Sequence, residues 1–321
     1  MSSASTGQFP PPTLTVVVPI FNEVECFPQL LTRLLALAGK LDGHTLDLLF
    51  VDDGSTDGTD QLLAAAATAH PSVRVLHFSR NFGHQAALTA GLDHAEGDYV
   101  CVIDADLQDP PEIIPAMLRR AREGFDVVYG QRRSRAGETW FKRTTALLFY
   151  RLLSATCRVQ IPIDTGDFRL VSRRLVLAFR TLRESHRFIR GLVPWAGFRS
   201  TAFLYDRQER FAGSTKYPVV KMIRFAVDAL LSFSNVPLRL STYIGLGMTC
   251  LSVLGILVML YLKLFTVYTV PGISAVICLI LGIGGIQFII LGLLGEYVGR
   301  IFEQGKHRPL YIVAATANLK P

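Results

Sequence analysis

The chain has 321 residues, 50% of them hydrophobic, with a mean hydropathy of +0.34 and a formal net charge of +7. That length suits one large α/β domain with an appendage better than several small domains, and the hydropathy is high for a soluble protein. The five cysteines, Cys26, Cys101, Cys157, Cys250 and Cys278, form no C-x-x-C pair, which argues against a disulfide framework and against a zinc site.

Met1 to Pro12 is rich in Ser and Pro and has no apolar core, so it is expected to be a disordered amino terminus rather than a signal peptide. Thr13 to Ile20 is a β-branched run ending near a proline, followed by leucines at helical spacing over Phe27 to Leu41. Leu46 to Val51 reads as a second strand, Asp52 to Thr59 as a turn and Asp60 to Ala69 as a helix. Val73 to Phe78 and Tyr99 to Ile103 read as strands, Gln85 to His94 and Pro111 to Arg122 as helices. Strand and helix alternate at short intervals, which predicts right-handed parallel crossovers and a doubly wound α/β sheet covered on both faces. After Val127-Val128-Tyr129-Gly130 the alternation degrades into the arginine-rich segment Gln131 to Arg151, the segment Ile161 to Val171 and a further mixed stretch.

From Pro218 to Phe233, Lys221, Arg224, Asp228 and Ser232 fall on one helical stripe opposite Val220, Ile223, Val227, Leu230 and Leu231. A basic polar face next to an apolar one suits a helix lying on a membrane, with a core helix as the alternative. Tyr243 to Leu262 and Gly272 to Gly295 then carry no charged residue, and each matches the roughly 20 apolar residues that cross a bilayer as a helix. The expected organisation is therefore a cytoplasmic catalytic domain over 13–213, interfacial helices over 214–239, a two-span transmembrane hairpin over 240–300 and a tail over 301–321. Arg224 and Arg239 precede the first span, Arg300, Lys306 and Arg308 follow the second, and only Lys263 marks the link between them. By the positive-inside rule both ends of this multi-pass protein face the cytoplasm.

Charge is laid out in blocks. Residues 1–118 hold 4 Lys/Arg against 15 Asp/Glu, residues 119–224 hold 23 against 8, and residues 225–321 hold 6 against 3. A basic block can serve nucleic acid, an anionic membrane or an anionic substrate. This one runs into the spans and carries no recognisable nucleic-acid motif, so a membrane and a lipid phosphate are the expected partners, and no nucleic acid.

The segment Asp104-Ala105-Asp106-Leu107-Gln108 follows an apolar run at what should be the carboxyl end of a buried strand, where open α/β sheets place ligands. Mg²⁺ takes oxygen ligands, often one or two carboxylates with substrate phosphates, and a plain turn into the helix at Pro111 is the alternative. Val51-Asp52-Asp53-Gly54-Ser55 places a second carboxylate pair at another strand end, suited to nucleoside hydroxyls or an N–H. Neither a P-loop nor a G-x-G-x-x-G after the first strand is present, so nucleotide would be held by carboxylates and metal.

These residues resemble the glycosyltransferase family 2 enzymes of GT-A fold, in particular polyprenyl-phosphate hexosyltransferases. The resemblance rests on Val18-Pro19-Ile20-Phe21-Asn22-Glu23, Val51 to Ser55, Ser79-Arg80-Asn81-Phe82-Gly83, Asp104 to Glu112, Thr165 to Leu170 and Gly295 to Ile301. It implies a GT-A type, mostly parallel doubly wound sheet and the metal-dependent, inverting transfer of a single hexose, glucose from UDP-glucose foremost, to undecaprenyl phosphate at the cytoplasmic face of a bacterial inner membrane. The same reaction with GDP-mannose, UDP-N-acetylglucosamine or UDP-galactose is the alternative. By the same resemblance Pro19, Glu23, Asp53 and Asp104 bind nucleotide, Asp104, Asp106 and Gln108 hold Mg²⁺ or Mn²⁺, and Arg132, Arg143 and Arg169 meet the acceptor phosphate. Asp106, Arg132 and the carboxylate Asp167 are the expected catalytic residues, Asp167 as a base or as an anchor for a basic group; His84 is a weaker candidate. A homo-oligomer, a tetramer, is also implied. A haloacid-dehalogenase-type phosphatase also uses Asp-x-Asp after a strand, but Leu107-Gln108 lacks its Thr or Val. A membrane-anchored scaffold, with Gly282, Gly284 and Gly285 packing its spans, is the reading from another class.

Overall fold

The structure, a computed structural model, describes residues 12–133, 165–185, 187–207, 236–265 and 272–319. Arg143, most of the arginine-rich segment and the 218–233 stripe lie outside the described residues. The chain forms two units, one holding residues 1–154, 159–218 and 309–321, the other 155–158 and 219–308.

The first unit is built on an eight-stranded sheet. Its strands are β1 (Thr13–Ile20), β2 (Thr45–Asp52), β3 (Val73–Phe78), β4 (Tyr99–Val102), β5 (Val127–Arg132), β6 (Thr165–Ser172), β7 (Ser200–Tyr205) and β8 (Val313–Ala317), in the order β7-β5-β6-β4-β1-β2-β3-β8. β4, β1, β2 and β3 run parallel, as the βα alternation predicts. β6 is antiparallel to both its neighbours, β4 and β5, and β8 is antiparallel to β3. The sheet is thus mostly parallel and mixed. The segment left unassigned in the sequence, Ile161 to Val171, supplies β6, whose inserted position between β4 and β5 no local periodicity reveals. The expected 301–321 tail ends in β8, which hydrogen-bonds along the edge strand β3 and so covers an otherwise open sheet edge.

Helices cover both faces. α1 (Phe27–Leu35), α2 (Thr59–Ala69) and α4 (Ile114–Arg122) bury Phe27, Leu30, Leu34, Leu63, Met117 and Leu118 against Val16, Val18 and Phe50. α1 is shorter than its leucine spacing predicts; a separate 3₁₀ turn takes Ala38–Lys40. On the other face lie α3 (His84–His94), α5 (Arg173–Thr181) and α6 (Ile189–Trp195). α3 sits very close to β1, because a Cβ at Gly91 would fall 2.1 Å from Cγ1 of the fully buried Val17. Its far end is tied down by Arg180 of α5, whose guanidinium donates to the carbonyls of Leu92 (3.4 Å) and Ala95 (2.7 Å), supplying partners to the α3 carboxyl terminus. The position of His84 at the start of α3 is set by these two constraints.

The second unit contains two long helices, α7 (Val236–Phe265) and α8 (Ile273–Gly305), which pack on each other. Both expose large apolar side chains, among them Tyr243, Leu251, Phe288 and Ile289. Among the described residues one stretch, Ile283–Gly305, is long and apolar enough to cross a membrane; it starts later than the expected Gly272 to Gly295.

Gly91→Ala should lower stability by about 1–3 kcal/mol, the usual range for an overpacked site with a rigid β-branched neighbour. Urea denaturation of the full chain in detergent measures it, and an unchanged midpoint would mean that α3 does not rest on Val17 as described.

Candidate active site

The carboxyl ends of the parallel strands converge because the strands are in register. Ile20 pairs with Asp52 across β1 and β2, the Asp53 amide donates to the Ile20 carbonyl at 2.9 Å, and the Ile103 amide at the end of β4 donates to the Val17 carbonyl at 3.1 Å. Side chains then stitch the loops together: Thr56 N–H donates to Asn22 Oδ1 (2.8 Å) and Val24 N–H to Asp57 Oδ2 (3.1 Å). Asp53 is buried, and its carboxylate accepts the amides of Phe82 (2.7 Å) and Gly83 (3.0 Å), so it fastens the loop that leads into His84. Burial nonetheless outweighs these bonds and raises its pKa. Gly54, at φ +74°, lets this loop pass close by, since a Cβ there would lie 2.7 Å from the Arg80 carbonyl carbon.

At the end of β4, Asp106 Oδ1 accepts the Gln108 amide at 3.1 Å, and the buried Leu107 between them is held at φ +60°. A bulky residue in the left-handed region is a strained conformation of the kind that clusters at functional sites. Asp104 lies near His84 of α3 and Asp167 of β6. Its Oδ1 is buried, lies 3.7 Å from His84 Nε2 and has no hydrogen-bond partner. Burial and the neighbouring carboxylates Asp167, Asp109 and Asp106, opposed by His84, push its pKa up to about 6.

Asp167 is the counterpart on β6, and the structure surrounds it with cations. Arg190 donates through Nε to Oδ1 (2.9 Å) and through Nη2 to Oδ2 (2.8 Å), His84 Nε2 lies 3.1 Å from Oδ2, and Arg169 Nη2 is 3.6 Å from Oδ1. Burial alone would raise its pKa, but Arg190, His84 and Arg169 together hold it well below the ordinary carboxylate value. The buried Arg169 donates to the carbonyls of Gly166 (2.8 Å) and Asp167 (3.3 Å), and burial brings its pKa down to about 10. The pKa of His84 moves the other way: burial lowers it, and the bond to Asp167 and the charges of Asp104 and Asp167 prevail and raise it.

One ligand atom each from His84, Asp104 and Asp167 lies within 4.8 Å of the other two. An orphaned buried carboxylate oxygen beside a histidine and a second carboxylate is a fit for a divalent cation, and the oxygen-rich donor set suits Mg²⁺ or Mn²⁺ better than a soft metal. Asp104 is common to this cluster and to the expected set of Asp104, Asp106 and Gln108. Asp106 faces Arg207 (3.9 Å), which also lies 3.8 Å from the fully buried Asp109. Asp109 accepts the Tyr205 hydroxyl at 2.5 Å, and its other oxygen, like Nε of Arg132 and of Arg207, is buried without a partner. Arg132 ends β5 beside Gly166 and Tyr205. Pro19 is a buried β1 residue, and Glu23, half-buried, donates its backbone amide to Thr59. His84 is more central than a lone loop histidine suggests, and Arg190, 23 residues beyond Asp167 in a weakly patterned stretch, has no sequence signal of its own.

Comparison with known proteins gives a consistent result. The model of the family described as "Glycosyl transferase family 2" matches residues 15–178. An uncharacterized glycosyltransferase of Bacillus subtilis, YkcC, is 47% identical over 299 residues, covering 93% of this chain and 92% of the relative. A bactoprenol glucosyl transferase of Shigella phage SfV is 40% identical over 300 residues, covering 94% and 97%. A solved glucosyl-3-phosphoglycerate synthase of Mycobacterium tuberculosis has a TM-score of 0.49 at 23% identity, over 69% of this chain and 78% of that one, too loose a likeness to bear on the chemistry.

Asp53→Ala should leave the Phe82 and Gly83 amides unsatisfied and cost about 1–3 kcal/mol. Amide hydrogen exchange should speed up at Phe82, Gly83 and His84; unchanged protection there would show that Asp53 does not secure the loop.

Proposed function

The chain belongs to glycosyltransferase family 2 and is a glycosyltransferase, and on that premise we propose that it transfers a single hexose, glucose from UDP-glucose, to undecaprenyl phosphate at the cytoplasmic face of the membrane. The observation that carries the reading is the buried, unpartnered Asp104 oxygen at the carboxyl edge of the sheet, close to His84 and Asp167. The choice of sugar and acceptor is supported by the relatives named as bactoprenol glucosyl transferases, at 39% and 40% identity over 94% of this chain.

In this reading the nucleotide lies along the loops of Pro19, Glu23 and Asp53. Mg²⁺ or Mn²⁺, held by Asp104 with Asp106 and Gln108 and bordered by His84 and Asp167, would neutralise charge on the leaving diphosphate. Arg132, with Arg143 in the same role, binds the acceptor phosphate, while the buried Arg169 supports Asp167 from behind. An oxygen of the acceptor phosphate attacks the anomeric carbon from the face opposite the diphosphate, the bond to the diphosphate breaks, and the configuration inverts. Because a phosphate monoester's second pKa is about 6, this nucleophile is already ionised at neutral pH and needs no base. Asp167, held ionised by its cations, is a poor proton acceptor and serves instead to organise charge. The apolar helices α7 and α8 suit a two-span hairpin that keeps the sheet unit at the surface where a lipid phosphate is presented.

Asp104→Asn and Asp106→Asn should each cut transfer about 100-fold or more, with Gln108→Ala milder, and EDTA should abolish the activity of the parent protein. Radiolabelled UDP-glucose with undecaprenyl phosphate in detergent is the assay; turnover that survives both substitutions and chelation would remove the metal from the mechanism.

Arg132→Ala should raise the KM for polyprenyl phosphate about 10- to 100-fold, the worth of a lost charge-assisted bond, with donor KM nearly unchanged. Unaltered acceptor kinetics with a short-chain polyprenyl phosphate would take Arg132 out of the acceptor site.

A further inference from the structure

Asp167 is only 1% exposed, and a carboxylate so placed needs partners, because removing an ion from water costs several kcal/mol, or about that order, in real proteins. Four groups face it: Arg190, Arg169 and His84, which are basic or become so, and Asp104, which repels it. Their geometries are not equivalent. Arg169 Nη2 is 3.6 Å away and directs its best bonds to backbone carbonyls of β6, and His84 offers one nitrogen. Among the described residues Arg190 alone bonds both carboxylate oxygens, at 2.9 and 2.8 Å, in the parallel two-bond form that fixes orientation as well as charge.

Arg190 is itself placed against the same helix that carries His84. The amide of its neighbour Ile189 donates to Gln85 Oε1 at 3.0 Å, and the Gln85 carbonyl accepts from Thr89 Oγ1 at 2.7 Å within α3. The first turns of α3 and α6 are therefore joined, with Asp167 of β6 between His84 and Arg190. Ile189 and Val193 of α6 pack with Leu88 and Leu92 of α3 around the same small cavity, so this junction has an apolar backing.

The geometry points to Arg190 as a positioning residue of the transfer reaction: its fork holds the Asp167 carboxylate in one orientation, so that Asp167 fixes the His84 ring and leaves the Asp104 oxygen unpartnered. Without it, Asp167 keeps a single-nitrogen contact to His84 and loses its fixed orientation, and the His84 ring loses its own. The inference goes beyond the proposed reaction but rests on the placing of Asp167 in its site.

The test is a kinetic and thermodynamic cycle on the full chain in detergent, with Arg190→Ala, Arg190→Lys, Asp167→Asn and the Asp167→Asn/Arg190→Ala pair. Arg190→Ala should lower kcat about 100-fold, the scale of a misplaced reacting geometry, while the KM for the nucleotide sugar moves less than about threefold. Arg190→Lys keeps the charge but not the fork, and should recover about tenfold of that loss. The double variant should be no slower than the slower single one, since both remove one unit. A kcat for Arg190→Ala or Arg190→Lys equal to that of the parent, or losses that multiply in the double variant, would overturn the inference. If Arg190→Ala does not fold, the lysine variant decides alone. Should the parent itself fail to turn over UDP-glucose, the donor assignment fails while this inference is still judged by thermal denaturation: non-additive shifts for the two substitutions support the clamp, and additive shifts reject it.

Discussion

The structure of the site depends on one electrostatic constraint: Asp109 and Asp167 are buried at the edge of the sheet, and the half-buried Asp104 has one oxygen out of contact with water beside them. Carboxylates gathered in this way do not share a common state. Asp167 receives Arg190, His84 and Arg169 and stays ionised, whereas Asp104 has an oxygen with no donor and a pKa raised to about 6. The two are bridged by one histidine nitrogen, 3.1 Å from the first and 3.7 Å from the second. Divergent pKa values in neighbouring groups mark a place where charge is organised for a ligand, and here one carboxylate oxygen, on Asp104, has no hydrogen-bond partner. That oxygen is the one a divalent cation would engage in the proposed reaction.

The backbone takes left-handed conformations just beyond β1, β2 and β4: Asn22 at φ +54°, Gly54 at φ +74° and Leu107 at φ +60°. Glycine and asparagine adopt this region readily, whereas the branched Leu107 does not and is maintained by the loop around it. Asn22 bonds to Thr56, Asp106 holds the Gln108 amide across Leu107, and Asp53 holds Phe82 and Gly83.

Legibility in the sequence followed the distance over which each feature is determined. The parallel strands β1 to β4 and helices α2 and α3 matched their expected ranges within a residue, because β-branched runs and helical spacing are local signals. β6, β7 and β8 were missed: β6 is specified by pairing with β4 and β5, and the short Val313–Ala317 strand by the open edge of β3. The same split holds within the site. Asp104, Asp106 and Asp53 stand out because they follow apolar runs, whereas Arg190 acquires its importance only when α6 folds against α3.

The charge blocks mislead in a way that packing explains. The central basic block reads as a surface for an anionic partner, yet where it is described many of its arginines serve the fold. Arg180 caps α3, Arg187 donates to the Phe179 carbonyl at 3.0 Å, Arg183 pairs with Asp93 at 2.7 Å, and Arg190 is taken up by Asp167. Arginine suits this work because its five donors reach several carbonyls or a whole carboxylate from one long side chain. Several of these contacts reach α3 from α5, α6 or the chain that leads into them, and α3 carries His84 and Gln85 into the site. Part of the positive charge thus serves to fix one helix against the sheet. Arg132 and Arg207 differ from these arginines: among the described residues each has a buried Nε with no hydrogen-bond partner.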